Sequence, residues 1–393
     1  MTGLAELWGQ LADVGRDPGT GGYRRFAWTS TDHELREWFA EQAQSRGLDL
    51  TVDRAGNQWA WWGDPDARPG VAVGSHLDSV PDGGAFDGPL GVVSAFLAVD
   101  ALRAAGTVPA VPIGLVNFVD EEGARFGVAC AGSRVITGAL APDRAAALRD
   151  DDGIALGEAM TAAGGDADHL GRDDEALARV GTFVELHIEQ GRALVDLGAP
   201  VGVARSIWPH GRWRFDFAGQ ANHAGTTALA DRHDPMLDYA AAVLRARDAA
   251  ARNGSLATFG KVAVEPNGVN AIPSLVRAWL DLRGPDRAAV DSTLNDLGGA
   301  PVSESWTDET VFDVLLRDRL AGWLGGVPVL PTGAGHDAGI LAAAGVPAAM
   351  LFVRNPTGVS HSPAEHADEI DCEAGVAALT AVLTDLSAAQ PAR

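Results

Sequence analysis

The chain has 393 residues, with 30 Lys and Arg against 53 Asp and Glu and a formal net charge of −23 at pH 7. That length allows two or three domains, and 46% hydrophobic with 21% charged residues describes a folded chain, not a disordered one. So acidic a chain repels nucleic acid and anionic membrane, because phosphate binding needs clustered cations; the single lysine is Lys261. No run of 18 apolar residues occurs, and MTGLAELWGQ lacks the basic stretch and apolar core of a signal peptide, so the cytoplasm is the expected location. Two cysteines, Cys130 and Cys372, exclude a disulfide scaffold and CxxC zinc sites.

In chain order, NQWAWWG (57–63) reads as a strand whose tryptophans pack at alternate positions. VAVGS (71–75), IGLVNFVD (113–120) and FVELHIE (183–189) are near-continuous apolar runs, the pattern of strands buried on both faces. Between them, residues 88–106 predict a helix with Gly106 as its stop, and 139–180 predict helix with exposed loops. From about 207 the pattern changes. RWRFDFAGQ (212–220) and SLVRAWLDLR (274–283) alternate, as half-exposed antiparallel strands do, around a helix at 234–252. After about 313 the first pattern returns, with GHDAGILAAAG (335–345) and VPAAMLFV (346–353). The expected fold class is α/β, with a domain built on a central mixed sheet from residues 1–206 and 313–393 and a smaller α+β domain inserted at 207–312.

Strand ends carry the chemistry. GSHLDSVPDGGAFDGPLG (74–91) puts His76 and Asp78 at one strand end and Asp87 before a helix; the next strand ends in Asp120, Glu121 and Glu122; the third carries His187 and Glu189. Near the C-terminus GVSHSPAEH offers His361 and His366. Any one of these residues alone reads as a cap or turn residue. Together they form a set that buried like charges would destabilise unless a cation or proton relieved them, and His with Asp and Glu suits zinc, manganese, cobalt or nickel. Residues alone do not assign the individual roles.

GSHLDSVPDGGAFDGPLG, VDEEGARFG, LHIEQG, ANHAGTT, NGVNAIPSLVRAWLDLR, GAGHDAG and VSHSPAE resemble, in that order, the M20-type metallopeptidase-like amidohydrolases that include allantoate amidohydrolase and N-carbamoyl-L-amino-acid hydrolase. The resemblance runs from about residue 20 to 380. It implies two divalent metal ions per subunit and a catalytic α/β domain, the inserted domain serving dimerisation. By motif, His76 and His187 would hold one metal, Glu122 and His361 the other, and Asp87 both, with Asp78 orienting His76 and Glu121 as general base. His187 stands where the wider family usually has a carboxylate, which points to the ureido-hydrolysing branch. His223 would reach across a homodimer to the oxyanion, Asn270 and Arg283 would hold the substrate carboxylate, and Gln190 and His336 would line the substrate site.

The expected reaction is hydrolysis of a ureido C–N bond in a small carboxylate. VRNPTGVSHSPAE and WPHGR resemble segments of bacterial allantoate enzymes, and that resemblance leans it toward allantoate, ahead of an N-carbamoyl-L-amino acid or ureidoglycolate. An N-acyl aminoacylase or dipeptidase is disfavoured by His187, and a noncatalytic metal-binding protein by Glu121. Ser360 beside His361 makes no GxSxG elbow, and no HExxH occurs.

Overall fold

The apolar runs become strands. In chain order these are β1 (Asp49–Val52), β2 (Gln58–Trp62), β3 (Gly70–His76), β4 (Ile113–Phe118), β5 (Val180–Ile188) and β6 (Val201–Ile207). Then come β7 (His210–Ala218), β8 (Asn222–His223), β9 (Leu256–Glu265), β10 (Ala271–Ile272), β11 (Leu275–Arg283) and β12 (Val302–Thr307). β13 (Thr310–Val311), β14 (Val329–Thr332) and β15 (Ala348–Val353) complete the set. The computed structural model describes residues 3–388. The chain divides into two compact units, one ending at Arg205 and resuming at Val311, the other Ser206–Thr310.

The first unit holds a nine-stranded mixed sheet in the order β1-β2-β4-β3-β5-β15-β6-β13, with β14 also on β6. β3 runs parallel to β4 and β5, and β15 runs parallel to β5; β2 is antiparallel to β4 and β6 to β15. Every residue of β3, β4 and β15 is buried, as expected where helices cover both faces of a parallel sheet. The helix Pro89–Ala104 packs on β3, β5 and the helix Glu369–Leu386. It begins with proline at its first turn, where a missing N–H costs nothing. Val93 is fully buried in this core. Val93→Ala should lower unfolding stability by about 2 kcal/mol through lost burial and a residual cavity, seen as a lower denaturation midpoint at unchanged m-value.

The second unit is an antiparallel sheet, β12-β7-β11-β9. β11 alternates buried and half-buried residues along its length, and the buried set, with Leu280 and Leu282, packs with Trp213, Phe215, Ala246 and Val290 into a separate core. The helices Pro235–Asn253 and Arg287–Leu297 supply Ala246 and Val290. β8 and β10 form a two-stranded ladder of their own.

β2 is a strand, as its tryptophans predict, and Trp59, Ala60 and Trp61 are all buried; it lies between β1 and β4. One local expectation needs correction. The GVSHSPAEH segment is not a strand end: β15 closes at Val353, and His361 lies in the loop beyond, at φ +55°. Cys130 and Cys372 are both buried and free. Among the described residues no helix is long and apolar enough to cross a membrane.

Candidate metal centre

Because β3, β4, β5 and β15 are parallel, their carboxyl ends share one edge of the sheet, where ligands bind in open α/β folds. His76 ends β3 and His187 sits one residue from the end of β5, their rings 5.9 Å apart. Asp87 arrives from the following loop, which turns at Gly88 with φ +84°. A Cβ on Gly88 would lie 2.5 Å from the His76 ring, so only glycine lets the backbone of Asp87 come this close.

His76 Nδ1 lies 3.1 Å from the Asp78 carbonyl and His187 Nδ1 lies 2.9 Å from the Ile188 carbonyl. A carbonyl only accepts, so each Nδ1 carries a proton, and Nε2 is the nitrogen whose lone pair a metal ion would take. Those Nε2 atoms face Asp87 Oδ1 at 3.7 and 3.1 Å, yet both are buried without a hydrogen-bond partner among the described residues. Two lone pairs and a carboxylate oxygen lying within 4.8 Å of one another form a group that can hold a divalent ion.

The other oxygen of Asp87 faces a second group. Asp87 Oδ2 lies 3.4 Å from His361 Nε2, which lies 3.5 Å from Glu122 Oε2, and these three residues also meet within 4.8 Å. Glu122 Oε1 is buried with no hydrogen-bond partner among the described residues. Gln190 donates to Asp87 Oδ2 at 2.8 Å and the Ser360 hydroxyl does so at 3.1 Å. The groups differ in access: the His76 and His187 side chains are 0% and 1% exposed, His361 50%.

Glu121 and Glu122 follow β4 in a loop where Asp120 and Cys130 take left-handed φ of +55° and +54°. Backbone held this way costs energy and persists where the surroundings enforce it. Asp78 supplies part of that enforcement, its carboxylate accepting the Glu121 and Glu122 N–H groups at 3.1 and 3.0 Å. The same carboxylate lies 3.4 Å from His76 Nδ1. Asp78 therefore adjoins His76, though the nearer partner of the imidazole is its main-chain carbonyl. Glu121 Oε2 is 3.8 Å from His76 Nε2, and the Cys130 thiol donates to Glu121 Oε1 at 3.4 Å. Burial holds the Glu121 and Glu122 carboxyls well above the usual carboxylate range, reinforced by each other's neighbours Asp78, Asp87 and Asp337. Asp87 is held below that range: burial pushes it up, but His187, His76 and His361 outweigh it.

His336 is buried with its ring 4.5 Å from that of His187, and its Nδ1 has no hydrogen-bond partner among the described residues. Burial and then the neighbouring His187 keep it well below the usual histidine value. Glu185, His187 and His336 make a third cluster, but the Glu185 oxygens are already taken by the Ser75 hydroxyl and the Ala338 N–H. Glu189 and His366 belong elsewhere: Glu189 accepts the Ala193 and Leu194 N–H groups at the start of a short helix, and His366 turns to Asp368.

In the second unit His223 pairs with Ala271 across the β8–β10 ladder, beside Asn270, whose carbonyl accepts the Ala224 N–H. Gly225 N–H donates to His223 Nδ1 at 3.0 Å, which leaves the proton of the neutral ring on Nε2. Arg283 ends β11 opposite His210 and grips Asp281 with two N–H groups at 2.7 and 3.1 Å. At about 3.4 Å per residue, the nine residues of β11 separate Arg283 from the Asn270 end of the sheet by about 27 Å. Asn270 precedes the Leu275 end of β11, so Asn270 and Arg283 flank opposite ends of that strand.

The model of Peptidase family M20/M25/M40 matches residues 72–385, which contain all of these groups. The chain belongs to the M20 family. Among curated M20 relatives, N-carbamoyl-L-amino acid amidohydrolase of Geobacillus stearothermophilus is 38% identical over 390 residues, 94% of each chain. Allantoate amidohydrolase of Escherichia coli is 32% identical over 406 residues, 96% of each chain. The crystal structure of a hydantoinase/carbamoylase family amidase from Burkholderia vietnamiensis superposes with a TM-score of 0.87 at 30% identity, covering 98% of both chains. This M20 chain is thus a hydrolase by family, with amidohydrolases named for N-carbamoyl-L-amino acids and for allantoate among its relatives. The sequence motifs assigned no place at the site to Cys130, Ser360 or Glu365. The last two stand inside the quoted VSHSPAE block, and Glu365 is an acid with no neighbour in sequence to explain it.

Proposed function

We propose that the chain hydrolyses the ureido C–N bond of a small carboxylic acid, with allantoate as its substrate. The observation that carries this reading is the division of Asp87 between two ligand groups, one oxygen toward His76 and His187 and the other toward His361, with Glu121 alongside. His76, His187 and Asp87 would hold one ion and Asp87, Glu122 and His361 the other, and zinc, manganese, cobalt and nickel all accept such ligands. The two ions, when bound, lower the pKa of a site water toward neutrality. Glu121 takes the proton of that water as it attacks the ureido carbonyl and delivers it to the leaving nitrogen. His223 Nε2–H, from a second copy of the chain, donates to the oxygen as its negative charge develops. One water is consumed, and ammonia, carbon dioxide and the amine result.

A homodimer would resolve the separation within the second unit: Arg283 from one copy and Asn270 with His223 from the other could then meet one substrate. The surface of that unit supports this assembly. β9 is an edge strand, and the helix Pro235–Asn253 exposes Leu237 and Leu244 at 69% and 55%, apolar area that a two-fold partner would cover.

Arg283→Lys should raise KM for the carboxylate substrate about tenfold or more while metal content stays unchanged, since a point charge cannot reproduce the planar fork. The same variant assayed with an uncharged ureido amide should show no further loss.

The higher identity to the Geobacillus relative favours N-carbamoyl-L-amino acids as a second reading. Ammonia release by the metal-loaded protein from allantoate, ureidoglycolate and a series of N-carbamoyl-L-amino acids, with N-acetyl amino acids and dipeptides as controls, separates these. The expected result is a kcat/KM for allantoate at least tenfold above every other compound. Faster turnover of an N-carbamoyl-L-amino acid transfers the assignment to it; preference for acyl or peptide substrates overturns the ureido reading.

A further inference from the structure

The loop after β15 brings Ser360 and His361 to the site, and one buried side chain ties it to the loop that brings Asp87. Glu365, 6% exposed, accepts the Phe86 and Asp87 N–H groups on Oε1 at 2.8 and 2.9 Å. Its Oε2 lies 3.4 Å from the Ser360 hydroxyl, whose hydrogen it shares with Asp87 Oδ2 at 3.1 Å. The contacts close a ring: Glu365 holds the main chain of Asp87 on one side and, through Ser360, its carboxylate on the other. The far wall is equally close, because a Cβ on Gly84 would collide with the Glu365 side chain.

An acid serving only its own turn would satisfy N–H groups of that turn. In this loop Asn355 does so, its Oδ1 accepting the Thr357 and Gly358 N–H groups and its Nδ2 donating to the Val359 carbonyl. Glu365 reaches 278 residues back to Asp87 instead. We propose that Glu365 is the positioning residue for Asp87, fixing how the shared carboxylate divides its two oxygens between the His76–His187 group and the Glu122–His361 group. The proposal rests on reading Asp87 as a ligand to both metals. Its effect falls mainly on the second group, because the loop Glu365 anchors also carries His361, whereas His76 and His187 are set by β3 and β5.

The test is Co2+ binding by the full chain after chelator treatment, followed by visible absorbance, with thermal unfolding of each metal-free variant as the control for folding. The unmodified chain takes up two Co2+. Glu365→Ala should keep the tighter site within a fewfold and weaken the other by about 10- to 100-fold, the range for loss of a group that orients a metal ligand. Glu365→Gln should restore binding to within a fewfold, because an amide oxygen accepts the same two N–H groups. Ser360→Ala should weaken the same site by a smaller factor, and it carries the test if Glu365→Ala does not fold. Unchanged Co2+ binding in a folded Glu365→Ala, or a folded Glu365→Gln as defective as Glu365→Ala, overturns the proposal. So does unchanged binding in Ser360→Ala where Glu365→Ala is unfolded. An unmodified chain that takes up fewer than two Co2+ overturns instead the metal reading beneath it.

Discussion

Glu121→Gln should retain its full metal content and lose turnover by a factor of about 10² to 10⁴, the usual contribution of a general base. The separation from Glu122 is geometric. Glu122 shares the second group with Asp87 and His361, whereas Glu121 is buried between the His76 ring and the Cys130 thiol and stands in neither Asp87 group. A carboxamide in its place keeps size and hydrogen bonding but cannot accept and return a proton. Glu122→Gln should instead lose metal, with activity falling as a consequence. Elemental analysis beside steady-state kinetics for both variants decides the matter; metal loss in Glu121→Gln with retention in Glu122→Gln would reverse the two roles.

Mixing two dead proteins should restore activity. His223→Ala and Glu121→Gln homodimers each lack one component in both sites if His223 serves the opposite subunit. In a hybrid dimer the site on the His223→Ala chain keeps its own Glu121 and receives an intact His223, so one site of two is complete. With free exchange at equal concentrations half the dimers are hybrids, and recovery should approach about a quarter of unmodified activity. Differential tags allow the hybrid to be purified and its composition checked before assay. A purified hybrid as inactive as its parents would place the action of His223 within its own chain or remove it from the reaction.

The alternating and continuous apolar runs made β2, β3, β4, β5, β7, β11 and β15 legible, because burial on one face or two leaves different periodicities in β11 and in β3; the remaining strands carry no such run. The strand-end clusters, His76 with Asp78 and Glu121 with Glu122, marked candidate residues by their closeness in sequence, and only the resemblance to the M20 amidohydrolases implied a role for each. The separation of Asn270 from Arg283 was not legible, since motif order carries no information about which end of a sheet a residue occupies. Nor was the place of Glu365, whose partner lies in a loop at the other end of the catalytic unit's sequence.

The residues read as metal ligands, His76, Asp87, Glu122, His187 and His361, all belong to one of the two compact units, and Ser206–Thr310 contributes none. Ions that bind only the folded form stabilise what they bind in proportion to the logarithm of their free concentration. Metal availability would therefore act on the two halves of the chain unequally. In a calorimeter the transition of the unit with the nine-stranded sheet would climb with added metal and fall with chelator, while the melting of Ser206–Thr310, if that unit forms the proposed dimer interface, would track subunit concentration instead. Scarcity of metal and dilution of the protein would then be two separate routes to an inactive chain, each leaving the other half folded.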